Sequence, residues 1–320
     1  GGGGQAAELL RPIWCLMRKE ALLSRKIHTD DTPVRVLDPG SGKTRTGRFW
    51  AYVGDDAHRH VVFEYTPSRG RDGPARFLSG YRGYLQADAF AGYDALYAGR
   101  EIIEVACWAH ARRKFRDAIL TDARGAEMVR LIGALYLVEE MGVGCREETR
   151  LKLRRELSSK ILERILRWLE RTRGDVLPKS PLGQAISYAL SNWRALTRYA
   201  EDAILLPDNN MAENALRCVA LGRKNWLFVG NDEAGERAAI LYSVLASCRA
   251  NGVDPWVYLS DVLVRVSTHP SSRAAELLPG NWKQTILPTL KPADAAATSA
   301  AAAALFESQP CASGDSTLEP

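Results

Sequence analysis

Three acidic residues stand at places where carboxylates could serve metal-dependent chemistry. Asp30 lies in a β-prone segment, Asp88 at the end of a predicted strand at residues 84–90, and Glu213 near the start of a predicted helix. Carboxylates that meet in space repel one another unless cations compensate their charge. Mg²⁺ takes oxygen ligands and commonly uses one or two carboxylates with a substrate phosphate. Two such ions ~4 Å apart would clamp the attacking and leaving oxygens of a phosphoryl displacement.

A structural role is open to each of the first two acids. Asp30 and its neighbour Asp31 could cap a turn before Pro33. Asp88 could cap a helix that begins at Ala89. Asp31 is also an alternative to Asp30 as a metal ligand.

The third acid belongs to a helix that is predicted to begin after residue 209. Apolar residues recur there at helical spacing, which predicts one buried face: Ala212, Ala215, Leu216, Val219 and Ala220. Glu213 lies off this stripe and is free for other contacts. Two local roles compete with metal binding, namely a capping box with Asn210 and an i,i+4 ion pair with Arg217.

Basic and aromatic side chains follow on two predicted helices and could contact DNA phosphates or stack on bases. The candidates are His110, Arg112, Arg113 and Lys114 on the first helix, and Arg217, Arg223, Lys224, Asn225 and Trp226 on the second. The alternatives are an ordinary exposed helix face and, for Trp226, a place in the hydrophobic core. Cys107 and His110 have half of a zinc-site spacing but no second pair nearby, which predicts no metal site there.

The order of predicted elements indicates an α/β fold. Three strands in a meander are followed by two more strands that alternate with helices, which is typical of a mixed five-stranded, ribonuclease-H-like sheet flanked by helices. The predicted divisions are an N-terminal helix at 1–26, a first core part at 27–121, an all-helical insertion at 122–204, a second core part at 205–282 and a low-complexity tail at 283–320.

The composition fits a nucleic-acid-binding protein of the cytoplasm without proving it. The chain of 320 residues has a formal net charge of +5 and a pI near 8.9. Its six cysteines form no CxxC pair, which is expected in a reducing compartment. The sequence contains no apolar run long enough for a membrane span and no secretory signal pattern. It begins without Met, so we expect a fragment or a frame that lost its start.

Four blocks in order resemble the DDE transposases of the insertion sequence 66 family. They are HTDDTPVRVL, YLQADAFAGYDALY, ACWAHARRKF and DNNMAENALRCVALGRKNWLFVG, with GERAAILYS behind the last, and the similarity extends over residues 6–282. The resemblance implies a ribonuclease-H-like fold in which Asp30, Asp88 and Glu213 form a catalytic triad. It also favours Asp30 over Asp31, because the first acid of the family's D-[DE]-T-P pattern is the catalytic one.

The same resemblance implies two Mg²⁺ or Mn²⁺ ions and cleavage and transfer of DNA strands at transposon ends. The expected partners are terminal inverted repeats, target DNA, further copies of the chain and accessory transposition proteins in a bacterial cytoplasm. Two departures from the family pattern keep other functions open. Asn214 stands where the family usually has Arg, and the N-terminal DNA-binding and zinc-binding parts of full-length relatives are absent. The alternatives are a non-catalytic remnant that binds DNA or partner proteins, and a ribonuclease-H-like nuclease with another substrate.

Overall fold

The computed structural model describes residues 2–38 and 42–290. Its five strands form one mixed sheet in the order β3-β2-β1-β4-β5, in which β1 pairs antiparallel with β2 and parallel with β4. The bounds are β1 Lys26–Asp38, β2 Lys43–Val53, β3 Val61–Thr66, β4 Gly83–Gln86 and β5 Ile102–Val105. This confirms the predicted α/β fold with a five-stranded sheet, and the arrangement is consistent with a ribonuclease-H-like fold.

The long hairpin of β1 and β2 alternates its side chains between two buried faces, as the pleat of a strand requires. On β2, Trp50 and Tyr52 enter one hydrophobic cluster, whereas Phe49 and Ala51 enter another on the opposite face. The hairpin closes with Asp38 opposite Lys43. The sequence predicts a turn over residues 38–44, of which residues 39–41 lie outside the described residues.

Helices cover the sheet on both faces. Helices α1, α12 and α13 contribute to the cluster around Trp50, α10 contributes to the cluster around Phe49, and α11 contributes to both. Their bounds are α1 Gly2–Ala21, α2 Asp72–Phe77, α3 Asp94–Tyr97, α4 Trp108–Ala118, α10 Asn210–Trp226, α11 Asp232–Ala250, α12 Pro255–Arg265 and α13 Pro279–Thr285. In the described part of the chain, no helix is both long enough and apolar enough to cross a bilayer.

Five helices separate β5 and α4 from α10, and all of them except α6 share a hydrophobic cluster with α4. They are α5 Gly125–Met141, α6 Glu147–Leu153, α7 Ser159–Arg173, α8 Pro181–Ser191 and α9 Trp193–Thr197. Ser180 caps α8, since its hydroxyl accepts the N–H of Gly183 at 3.1 Å, with Pro181 in the first helical position.

Apolar residues at Leu153, Leu157, Ile161, Ile165 and Leu169 predict one long helix over residues 147–173 with a regular buried stripe. The structure interrupts this helix with a π-type turn at Arg154–Ser158. The extra residue per turn rotates the buried face. Leu157, which the helical stripe placed inside, is 36% exposed, whereas Arg154 is buried. Arg154 forms a bidentate ion pair with Glu139 at 2.6 and 2.8 Å and also donates to three backbone carbonyls. The predicted stripe was therefore wrong in its first turns.

Two strands end earlier than predicted. β4 ends at Gln86 rather than at Phe90. The sequence predicts a fifth strand over residues 102–108 and a helix from His110, whereas β5 ends at Val105 and α4 begins at Trp108. The indole of Trp108 is buried and donates to the carbonyl of Leu196 at 2.8 Å, which ties the start of α4 to α9.

Candidate active site

The register of β1 and β4 brings the first two acids to one edge of the sheet. The last paired residues of the two parallel strands are His28 and Gln86. Asp30 and Asp88 each follow two residues later, in the same direction of the chain. Neighbouring strands lie about 4.8 Å apart, so Asp30 on β1 and Asp88 just after the end of β4 lie on neighbouring stretches of chain.

Asp30 lies where a negative charge is poorly tolerated. Burial raises the pKa of its carboxyl to about 7, and the charges of Asp88, Asp31 and Glu213 act in the same direction. The N–H of Asp31 donates to Asp30 Oδ1 at 2.8 Å and opposes this shift. All three predicted acids are thus close enough to interact electrostatically. Within the described ranges, Asp30 has no ion pair that compensates its charge.

Asp31 is in the opposite situation. Its side chain is 1% exposed and is held by Arg48 at 2.8 Å and by Arg69 at 2.9 Å. Both oxygens therefore already have a cationic partner. This pairing leaves Asp30, rather than Asp31, as the acid with room for a metal ion. The turn predicted before Pro33 was wrong, because β1 continues without interruption to Asp38.

Asp88 is partly buried, and burial raises the pKa of its carboxyl, while Arg69 and His110 oppose that shift. Arg69 lies 3.5 Å from Asp88 Oδ2 and also stacks on the ring of Phe90, with 4.1 Å between its guanidinium carbon and the ring centroid. The alternative role of Asp88 as a helix cap was wrong. The next helical turn begins at Ala91 and has Phe90 as its N-cap residue.

Glu213 lies in the first turn of α10, and neither of its predicted local roles is present. Helix α10 begins with Asn209 as N-cap and has no side-chain cap hydrogen bond, so the capping box was wrong. No ion pair joins Glu213 to Arg217, both of which are described residues. Glu213 Oε1 is instead buried without a hydrogen-bond partner, 3.8 Å from His110 Nδ1.

Buried polar side chains that sequence reasoning missed attach the start of α10 to the strand ends. Asn209 donates from Nδ2 to the carbonyl of Thr29 at 2.8 Å and contacts His28 Nδ1 at 3.1 Å. Gln86 Nε2 donates to the carbonyl of Asp208 at 2.9 Å. Burial lowers the pKa of His28 to about 3, so its ring is neutral. The Asn209 amide then accepts from His28 Nδ1, because its nitrogen already serves Thr29.

The basic residues predicted on α4 are divided between two surroundings. His110 points toward Glu213, whereas Arg112, Arg113 and Lys114 are exposed. Lys114 lies over the ring of Tyr188 at 4.8 Å. The other two arginines line a cavity of about 370 Å³, which we call the arginine cavity: Ala109, Arg112, Arg113, Arg116, Val129, Tyr136 and Asn210. Since Asn210 is the first residue of α10, this positive cavity adjoins the helix that carries Glu213.

The predicted basic residues of α10 also differ in their surroundings. Arg217, Lys224 and Asn225 are exposed. Arg223 donates to the Thr32 hydroxyl at 3.0 Å and to the Pro33 carbonyl at 2.6 Å, which holds α10 against β1. Trp226 is partly buried and packs against the hydrophobic cluster around Phe49.

Comparison with known proteins identifies the family. The family model "Transposase IS66 family" matches residues 3–237, and "IS66 C-terminal element" matches residues 243–279. The chain belongs to the IS66 transposase family. It is 33% identical to uncharacterized protein y4hP of Sinorhizobium fredii (strain NBRC 101917 / NGR234), over 90% of this chain and 56% of that protein. It is 35% identical to uncharacterized protein y4qI of the same strain, over 81% and 51%. The chain thus spans about half the length of these relatives.

Proposed function

We propose that this chain carries the catalytic domain of a transposase that cleaves DNA strands and transfers them at transposon ends. The observation that supports this most is the group of acids formed by Asp30 on β1, Asp88 after β4 and Glu213 on α10. Asp88 and Glu213 act electrostatically on Asp30, and Asp30 lacks a cationic partner among the described side chains. Such a group is stable with all its charges only when cations join it.

The donors fit divalent metal ions of the Mg²⁺ type. Asp30, Asp88 and Glu213 offer carboxylate oxygens, which hard cations prefer, and Glu213 Oε1 is a buried oxygen without a hydrogen-bond partner. These three residues would hold two Mg²⁺ or Mn²⁺ ions. When bound, the ions would activate water or a DNA 3′-hydroxyl and stabilise the departing oxygen.

The protein's own contribution is to bind and orient the DNA backbone. The arginine cavity lies beside the start of α10 and offers three guanidinium groups to phosphates. Arg217, Lys224 and Asn225 extend the polar surface along α10, and Trp226 at its end is a candidate for stacking on a base. Terminal inverted repeats, target DNA, further copies of the chain and accessory transposition proteins are the proposed partners in a bacterial cytoplasm.

The test is metal-dependent nicking of a labelled duplex that ends in the terminal repeat, with the part of the relatives that this chain does not span supplied. Asp88→Asn and Glu213→Gln are expected to abolish nicking in Mg²⁺ and in Mn²⁺. Asp94→Asn and Glu236→Gln are matched controls, because both residues are exposed acids, and they should leave nicking unchanged.

Three results would contradict the proposal in different ways. Nicking that survives Asp88→Asn would show that these acids do not hold the catalytic ions. Intact DNA binding without any nicking in the unmodified chain would favour the alternative of a non-catalytic remnant that binds DNA. Cleavage of an RNA–DNA hybrid in preference to the terminal repeat would favour a nuclease with another substrate.

A further inference from the structure

Glu213 also belongs to a second group of possible metal ligands, which adds a thiol and an imidazole to its carboxylate. Cys107, His110 and Glu213 each offer one ligand atom, and these atoms all lie within 4.8 Å of one another. Cys107 is the N-cap residue of α4, His110 lies in the first turn of that helix, and Glu213 lies in the first turn of α10. The sequence shows only the first two as a CxxH pair, because the third ligand is supplied by a distant helix.

Two of these residues carry buried polar atoms that are left without partners. His110 Nδ1 and Glu213 Oε1 are both buried without a hydrogen bond and face each other across 3.8 Å. This separation is too long for a direct hydrogen bond. With metal bonds of about 2.0–2.2 Å to nitrogen and oxygen, two ligands of one tetrahedral ion lie roughly 3.4 Å apart. A small movement of either side chain would therefore satisfy both atoms through one ion.

The sulfur is placed as the third ligand. Cys107 is buried, and its Sγ accepts the backbone N–H of Asn209 at 3.3 Å. Such a donor stabilises a thiolate once it forms. Burial raises the pKa of the free thiol to about 11, so metal binding must displace its proton. The side chains of His110 and Glu213 are 24% and 31% exposed, which gives an ion a path from solvent.

We propose that Cys107, His110 and Glu213 form a zinc site that connects α10 to the junction of β5 and α4. Thiolate and imidazole select Zn²⁺ over Mg²⁺, whereas an all-carboxylate set has the reverse preference. Three protein ligands leave the fourth tetrahedral position to water. The binding site does not depend on the proposed transposase activity. Its consequence, that one carboxylate is shared between a hard and a soft metal centre, rests on that function.

Titration with Co²⁺ tests the site directly, because a cobalt–thiolate bond gives a charge-transfer band that carboxylates and imidazoles do not give. The band is expected in the unmodified chain, to persist in excess Mg²⁺ and to disappear on addition of Zn²⁺. Cys107→Ser should abolish it. Cys15→Ser is the matched control, since Cys15 is an exposed cysteine outside the site, and it should leave the band unchanged.

A thermal unfolding series covers the case in which Cys107→Ser fails to fold. Zn²⁺ should raise the Tm of the unmodified chain and of Cys15→Ser, but not that of His110→Ala, which keeps the thiol. The proposal is overturned if the cobalt band is absent, if it survives in Cys107→Ser, or if Zn²⁺ stabilises His110→Ala as much as the unmodified chain. These readouts need no DNA, so their failure is separate from a failure of Mg²⁺-dependent nicking.

Discussion

Replacing Asp30 by Asn should stabilise the metal-free protein, although the same change should abolish metal-dependent nicking. The carboxyl of Asp30 is partly buried beside Asp88 and Glu213, and its pKa is raised to about 7. Asn keeps the shape of the side chain and an oxygen that can accept the N–H of Asp31. It removes only the negative charge, which is the part that the surroundings disfavour.

The size of the effect follows from the difference between folded and unfolded pKa values. An ordinary aspartate has a pKa of about 3.9, so the folded value lies roughly three units higher, and each unit corresponds to about 1.4 kcal/mol. The folded state therefore binds this proton more tightly than the unfolded state. The protonated carboxyl of Asp30 therefore makes its full contribution to stability below the unfolded pKa of about 4. This contribution is lost as the pH rises through the folded pKa of about 7. At pH 8 the loss amounts to about 4 kcal/mol as an upper limit.

Urea unfolding in the presence of a chelator provides the assay, with the unmodified chain and Asp30→Asn compared at pH 5 and pH 8. The stability of the unmodified chain should fall across this interval more steeply than that of the variant. Mn²⁺ at about 100 times its Kd should then raise the free energy of unfolding of the unmodified chain by roughly 2.7 kcal/mol. The variant should gain much less, because it offers one carboxylate fewer.

Asp31→Asn is the matched control, because the neighbouring acid has the opposite environment. It would leave Arg48 and Arg69 without their shared carboxylate, and breaking a buried ion pair on one side typically costs about 3–5 kcal/mol. The two variants should thus change the free energy of unfolding in opposite directions. If Asp30→Asn destabilises the metal-free protein as Asp31→Asn does, Asp30 has a structural bonding role and the reasoning fails.

Three other predictions test separate parts of the structure. Replacing the three arginines of the arginine cavity by Ala should weaken DNA binding at every sequence and reduce the slope of log K against log salt by about 1 for each phosphate that is no longer neutralised. Replacing the exposed Arg171 of α7 should change neither the affinity nor the slope. Filter binding at several salt concentrations measures the affinity and its salt dependence. Arg154→Leu should lower the free energy of unfolding by about 3–5 kcal/mol, because Glu139 would keep a partly buried charge without its partner; urea unfolding would refute this if the midpoint were unchanged. Burial lowers the pKa of His60 to about 4, so the free energy of unfolding should fall as the pH falls from 6.5 toward 4. At pH 5 this decrease should be about 2 kcal/mol, and it should be absent in His60→Gln. Unfolding curves of both proteins at pH 5 and pH 7 would show the difference.

The sequence was sufficient to predict the sheet and the helix that carries Glu213. The strands are rich in β-branched and aromatic residues with a period of two, and the apolar stripe of α10 has the spacing of a helix, with Ala212, Leu216 and Val219 buried. Local patterns of this kind depend on near neighbours along the chain. They therefore predict which elements form, although their ends shift by a few residues, as at Gln86 and Val105.

The partners of each acid could not be read from the sequence. Asp30 and Asp31 are adjacent, and only the pairing of β1 with β2 and the position of the loop around Arg69 show which of them is neutralised. Likewise, the CxxH pair shows its third candidate ligand only when α10 packs beside it. Both cases depend on packing between segments that are far apart in the chain, where periodicity carries no information.

The polar residues that attach α10 to the sheet explain why the charge of Glu213 acts on Asp30. His28 precedes Asp30 by two residues within β1, the period with which side chains return to the same face of a strand, and Gln86 is the last residue of β4, two residues before Asp88. His28 and Gln86 bind the segment that starts α10, through Asn209 and through the carbonyl of Asp208. The face of β1 that contacts the start of this helix is thus the face on which β1 presents Asp30. Glu213 follows within the first turn of α10, which places its charge within electrostatic range of Asp30.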